Sequence, residues 1–187
     1  MDRHYEIEIA GLRRELVICD VSENLCIAAF VMFGDVELTM AAAERLMEIA
    51  PPHDILITAE AKGIPLVHEM ARQSGETDYI VARKGKKLYM KEVFSVEVQS
   101  ITTENKQALY IDAAEAERMK NKRVLIIDDV ISTGESVRAL ETLIKEAGGE
   151  VAGRMAVLAE GDAVHRSDIF YLQHLPLFDA DGNPKPI

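Results

Sequence analysis

Two aspartates, Asp128 and Asp129, stand side by side after the apolar run Val124-Leu125-Ile126-Ile127 and just before Ser132-Thr133-Gly134. If the strand continues one step past the apolar run, their side chains point to opposite sides, so that one can face a ligand while the other meets a neighbouring backbone or a metal-bound water. The small residues after them lead into helical spacing, and a helix N-terminus preceded by a small-residue turn offers free backbone N–H groups to a phosphate. A second group repeats the plan: Lys62 and Gly63 close the turn Glu60-Ala61-Lys62-Gly63, where the lysine supplies charge and the glycine permits unusual backbone angles, which suits a second phosphate-type ligand. A third group is basic. Arg83, Lys84, Lys86, Lys87 and Lys91 fall within nine residues of a chain whose formal net charge is −11. They form either a solvated loop or a local cationic site for an anionic small molecule.

The surrounding sequence supplies the elements that must position these groups. Val124 to Ile127 leave no face for water and read as a short strand in the middle of a parallel sheet. After the turn, Val137, Leu140, Leu143, Ile144 and Ala147 make one face of a helix, with Arg138, Glu141, Lys145 and Glu146 opposite. Ile55 to Thr58 reads as a second buried strand, followed by a helix from Ile64 to Arg72 with Pro65 in its first turn. Tyr79 to Ala82 is a third strand and leads straight into the basic cluster. Val93, Val96 and Val98 favour extended structure, Ser100 to Asn105 a mobile polar loop, and Gln107 to Ile111 a strand before a short alanine-rich helix at 113 to 119. Gly148-Gly149 ends the motif helix. A strand from Val151 to Leu158, the turn Glu160-Gly161-Asp162 and a last strand from Ile169 to Leu172 follow.

The N-terminal part is built differently. Residues 5 to 19 alternate apolar and charged around a turn at Gly11, as a hairpin with one wet face outside the parallel core. Leu25 to Phe33 is strongly apolar; Phe30 reads as core, and Phe33, next to Gly34, as a candidate to stack on a flat ligand. Asp35 is an N-cap for a helix marked by Leu38, Ala42, Leu46 and Ile49 and stopped by Pro51-Pro52. The expectation is therefore a single α/β domain over 1–187, three-layered around a central, mainly parallel sheet. Residues 1–34 form a small N-terminal hood or hairpin and 179–187 a loose tail.

Composition narrows the function classes. With 48% hydrophobic and 28% charged residues the chain is an ordinary globular domain. The acidic balance disfavours nucleic acid as a partner. No apolar run approaches a membrane span and the start is no signal peptide, so a cytoplasmic location is expected, with Cys19 and Cys26 as free thiols.

The stretch Val124 to Gly134 resembles the phosphoribosyl-pyrophosphate (PRPP) signature of the type I phosphoribosyltransferases: four apolar residues, two acidic ones and a Thr-Gly turn. Glu60-Ala61-Lys62-Gly63 falls where that family has its pyrophosphate loop, often with a cis peptide before the basic residue, here Ala61–Lys62. Arg83-Lys84 and Lys87-Leu88 look like the Arg-Lys-x-x-Lys-Leu segment of adenine phosphoribosyltransferases. The resemblance implies transfer of phosphoribosyl from PRPP to a purine, with Mg²⁺ held through PRPP and reached by Asp128 or Asp129 only by way of water. It implies Asp128 and Asp129 on the ribose hydroxyls as the catalytic pair, and Ile131, Ser132, Thr133, Gly134, Glu135 and Ser136 around the 5′-phosphate. Ala61, Lys62, Gly63, Arg83, Lys84 and Lys87 would take the pyrophosphate. The 88 to 105 loop would close to exclude water, and a homodimer is usual. Phe33 and Glu160 are where the base would be read.

The base itself divides the signals. Hypoxanthine-guanine members commonly carry an acidic residue where Ser132 stands, which argues against that branch. The Arg83 to Leu88 segment favours adenine, whereas Ser100-Ile101-Thr102-Thr103 looks more like the xanthine type. Glu135 departs from the glycine usual at its position. Adenine is the expected base, with xanthine or hypoxanthine and guanine as alternatives. A non-catalytic PRPP-sensing regulator of purine genes is the rival from another class.

Overall fold

The structure, a computed structural model, describes residues 3–88, 90, 92–99 and 106–186. Ten strands and four α-helices can be followed among them. The N-terminal sheet is antiparallel: β1 (His4–Ile9), β2 (Leu12–Ser22) and β3 (Leu25–Ala28), in that order. Its first turn places Ala10 at φ 52° and Gly11 at φ 81°, the pair of left-handed residues that a tight right-twisted hairpin demands. Helix α1 (Val36–Ile49) opens on Asp35, whose side chain accepts from the Leu38 amide, and packs on α2 (Ile64–Ser74).

The central sheet has the order β10-β9-β8-β4-β5, every pair parallel, with β4 (Ile55–Ala59), β5 (Ile80–Ala82), β8 (Arg123–Ile131), β9 (Glu150–Glu160) and β10 (Phe170–Leu175). The expected α/β architecture is present. All five residues of β4 are buried, as a strand covered on both faces requires. One face carries α1, α2 and the N-terminal sheet over Leu56, Leu125, Ile127 and Met155. The other carries α3 (Ala113–Met119) and α4 (Glu135–Glu146) over Ile57, Val124, Ile126 and Ala156.

Three features differ from the sequence reading. The strand carrying the acidic pair does not stop at Ile127: β8 runs on through Asp128, Asp129 and Val130 to Ile131, because β9 offers it a parallel ladder along that whole length. Strands β6 (Val93–Gln99) and β7 (Lys106–Asp112) form a separate antiparallel ribbon, tied to the core where Arg83 and Tyr110 exchange backbone hydrogen bonds of 2.8 and 2.9 Å. Residues 179 to 186 are not loose. Phe178 is fully buried and exchanges backbone hydrogen bonds with Cys26, its ring meets Tyr5 edge-on, Arg3 donates to the Ala180 carbonyl, and Lys185 Nζ to the Asn24 carbonyl. A polar sequence hides such packing because its anchors are backbone groups of the N-terminal sheet.

Candidate active site

The strand extension decides how the aspartates are displayed. The side chain of Asp129 shares the α2 face with Leu125 and Ile127 and is buried, 3% exposed. Asp128 points to the α4 face, lines the cavity there and accepts from the Asp129 amide at 3.0 Å. Burial, and then the neighbouring Asp129 charge, raise the Asp128 carboxyl to about 7.

The cavity in front of Asp128 has a volume of about 140 Å³ and is walled by Val130 to Val137. All six residues expected to wrap a phosphate, Ile131 to Ser136, line it. Gly134 caps α4 in the left-handed conformation, φ 74°, with no side-chain cap hydrogen bond. Glu135 also lines the cavity.

On the α2 face, Lys62 Nζ lies 2.8 Å from Asp129 Oδ2. That oxygen is buried and has no well-aligned hydrogen bond, so Lys62 gives it charge but not a satisfied donor. Gly63 is required by close approach: a Cβ there would sit 2.3 Å from Thr58 Oγ1 and 3.4 Å from Asp128 Cα. The cis peptide lies at Glu60–Ala61, one bond earlier than expected.

Arg83 and Lys87 do come to this corner, but through a residue that the sequence reading treated only as part of a turn. Glu60 Oε1 lies 3.5 Å from Arg83 Nη1 and 3.4 Å from Lys87 Nζ, and Glu60 Oε2 accepts from the Lys84 amide at 3.1 Å. That amide hydrogen bond is the first cause holding the Glu60 carboxyl below its ordinary range, with Lys87 and Arg83 adding to it. Lys84 enters by its backbone and its side chain is exposed, as is Lys86. Lys91 and the 100 to 105 stretch lie outside the described residues.

Glu160 ends β9 and feels Lys62 and Asp129; burial pushes its carboxyl up. It therefore belongs to the same cluster. Phe33 is 53% exposed beside Gly34, and the cavity adjoining that segment is lined by Met32, Asp35, Thr39, Met40, Pro65 and His68, away from the 131–137 loop.

The arrangement sets two loops, 60–63 and 131–136, at the carboxyl ends of the adjacent parallel strands β4 and β8, beside the Asp128-Asp129 pair. The family model for the phosphoribosyl transferase domain matches residues 36–174. The chain belongs to the phosphoribosyltransferase family. A hypoxanthine/guanine phosphoribosyltransferase of Methanotorris igneus is 36% identical over 109 residues, covering 58% of this chain and 55% of that protein. An adenine phosphoribosyltransferase of Thermotoga petrophila is 36% identical over 121 residues, 64% of this chain and 67% of that one. The chain thus spans little more than half the length of the first of these relatives. The crystal structure of an adenine phosphoribosyltransferase from Thermoanaerobacter pseudethanolicus superposes with a TM-score of 0.62 over 91% of this chain and 95% of that one; at 20% identity the likeness is one of fold.

The family implies a divalent cation. Among the described residues no group of three His, Cys, Asp or Glu could hold one alone. Two adjacent carboxylates, one lining a cavity and one with an underused oxygen, fit an ion held mostly by a ligand's own oxygens.

Proposed function

We propose that the chain is a purine phosphoribosyltransferase that moves the 5-phosphoribosyl group of PRPP onto a purine ring nitrogen and releases pyrophosphate, with adenine as the preferred base. The observation that carries this reading is the pair of anion-accepting loops flanking Asp128 and Asp129. A sugar bearing a phosphate at one end and a diphosphate at the other fills both loops at once and brings its ring over the acidic pair.

The chemistry follows from charge. As the bond from C1 to the pyrophosphate oxygen breaks, the electron pair leaves with pyrophosphate and positive charge gathers on the ribose. The loop from Ile131 to Ser136 fixes the 5′-phosphate, so the sugar does not swing away from the incoming base. Asp128 and Asp129 hold the ribose hydroxyls and set negative potential beside the cationic ring. Lys62, Arg83 and Lys87 receive the departing diphosphate, with Ala61, Gly63 and the Lys84 backbone shaping the loop around it. Mg²⁺, bound through PRPP and carried in part by Asp128 or Asp129, would neutralise the leaving group.

For the base, Glu160 supports adenine. A carboxylate accepts hydrogen bonds, and the 6-amino group of adenine donates; the 6-oxo group of hypoxanthine, guanine or xanthine would set acceptor against acceptor. Phe33 would stack on the base. The second reading, an oxopurine, is favoured by the name of the Methanotorris igneus relative. A homodimer in the cytoplasm is the setting we propose.

Pyrophosphate release measured with PRPP, Mg²⁺ and each of adenine, hypoxanthine, guanine and xanthine tests the reading. Turnover fastest with adenine is expected, and turnover confined to oxopurines would replace adenine by the second reading. PRPP binding without turnover on any base would make the chain a sensor and overturn the enzyme.

A further inference from the structure

Gly134 has a neighbour that no motif announces. A Cβ on this residue would lie 2.5 Å from Arg166 Nη1, so the guanidinium rests directly on the backbone of the loop at the entrance to α4. Arg166 follows the 3₁₀ turn Gly161–His165 and is reached from the far side of β9. Its other edge is fixed: Nε and Nη2 donate to the two carboxylate oxygens of Asp168 at 2.9 and 2.8 Å, a planar fork that turns Nη1 toward the loop.

Asp168 is held in turn. Its Oδ2 lies 3.5 Å from Arg154 Nε, and Arg154 on β9 is paired with Glu141 on α4. The series Glu141, Arg154, Asp168, Arg166 alternates in sign and runs from the body of α4 back to the glycine that caps that helix. Arg138 completes the support, donating from Nη1 to the Thr133 carbonyl at 3.0 Å, with the same nitrogen 3.7 Å from the Gly134 Cβ position. Two cations therefore back a loop whose cavity is lined in part by Glu135.

We propose that Arg166 is a positioning residue for the 5′-phosphate: held by Asp168, it braces the left-handed turn at Gly134 and supplies the positive potential that lets this loop accept a phosphate monoester beside Glu135. The inference rests on the reading that the 131–136 loop takes the phosphate of a phosphoribosyl ligand. Only a glycine leaves room for this arrangement. The α4 N-terminus and the arginine then act on the same anion from opposite sides of the backbone, and Arg166 needs no direct contact with it.

Calorimetric titration of the full chain with D-ribose 5-phosphate and, separately, with magnesium pyrophosphate tests it. For Arg166→Gln we expect about a tenfold loss of ribose 5-phosphate affinity at low salt, the scale of one nearby, partly screened charge, with pyrophosphate affinity held within about twofold. The gap from the wild type should shrink as salt rises. Arg166→Lys should recover part of the loss, since it keeps the charge and gives up the fork. In turnover, KM for PRPP should rise while kcat stays within about twofold. Unchanged ribose 5-phosphate affinity in Arg166→Gln, or equal losses for both probes, would overturn the proposal. If Arg166→Gln does not fold, Arg166→Lys decides alone: affinity for ribose 5-phosphate equal to the wild type at low salt, or lost together with that for pyrophosphate, counts against the proposal. A wild type that binds neither probe would remove the phosphoribosyl reading itself, an outcome distinct from failure of the arginine's role.

Discussion

The two anion-accepting loops solve one electrostatic problem in opposite ways. The loop from Ile131 to Ser136 surrounds a cavity at a helix entrance and has its cations behind the backbone. The turn from Glu60 to Gly63 is closed on itself: Lys62 is paired with Asp129, and Arg83 and Lys87 with Glu60. On the proposed reading, a phosphate at the first loop is met chiefly by backbone N–H groups. A diphosphate at the second would have to take over ion pairs that the protein already makes, so its binding would be an exchange and its release assisted by carboxylates ready to return.

The sharpest way to break the contrast is at Asp128, which lies where the two halves meet. Asp128→Asn should lower turnover on the order of 10²-fold, the scale of losing one preorganised electrostatic partner, in a steady-state assay with PRPP and adenine. Gly63→Ala comes next and strikes the closed half alone. The new Cβ would press on Thr58 Oγ1, so pyrophosphate affinity should fall about tenfold, with overpacking of ~1–3 kcal/mol in stability, while ribose 5-phosphate binding is unchanged. Adding Thr58→Ala should recover part of both losses, which paired titration and thermal melts would read. Glu60→Gln should act in the other direction. It removes the internal competitor, so pyrophosphate should bind about threefold tighter, in line with a partly exposed ion pair of ~1 kcal/mol or less.

The smallest effect is on folding. A carboxyl whose folded pKa is raised stabilises the fold fully below its unfolded value, and that contribution is lost as pH rises through the folded value. For Asp128 the window runs from the ordinary aspartate range up to about 7. Wild type and Asp128→Asn should therefore melt together near pH 4. Above pH 7 the variant should melt higher, by roughly 4 °C, about what 1–2 kcal/mol shifts a chain of this length. Taking this difference cancels groups of opposite sign such as Glu69, whose carboxyl Arg72 holds down at about 2 and whose stabilisation is lost only in acid.

Most of the strand-turn-helix frame was legible because hydrophobic period is a local signal: Ile55 to Thr58 and Val124 to Ile127 announce buried strands, and the Val137 to Ala147 spacing announces its helix. The same locality explains what was missed. Aspartates are poor strand formers, so nothing in Asp128-Asp129 foretold that pairing with β9 would carry β8 on to Ile131. Glu60 was read as a turn residue because its partners come from Arg83 to Lys87, and Arg166 escaped notice because it meets Gly134 only through the fold.

The seat of Gly63 against Asp128 Cα has a further consequence. With β4 and β8 adjacent in the sheet, the two loops leave strand ends whose backbones lie roughly 4.8 Å apart, and Gly63 ties one to the other. On the proposed reading the fold is a calliper. A molecule with anionic groups on both sides of a single pentose would engage both jaws, and one carrying all its phosphates at one end would engage only one.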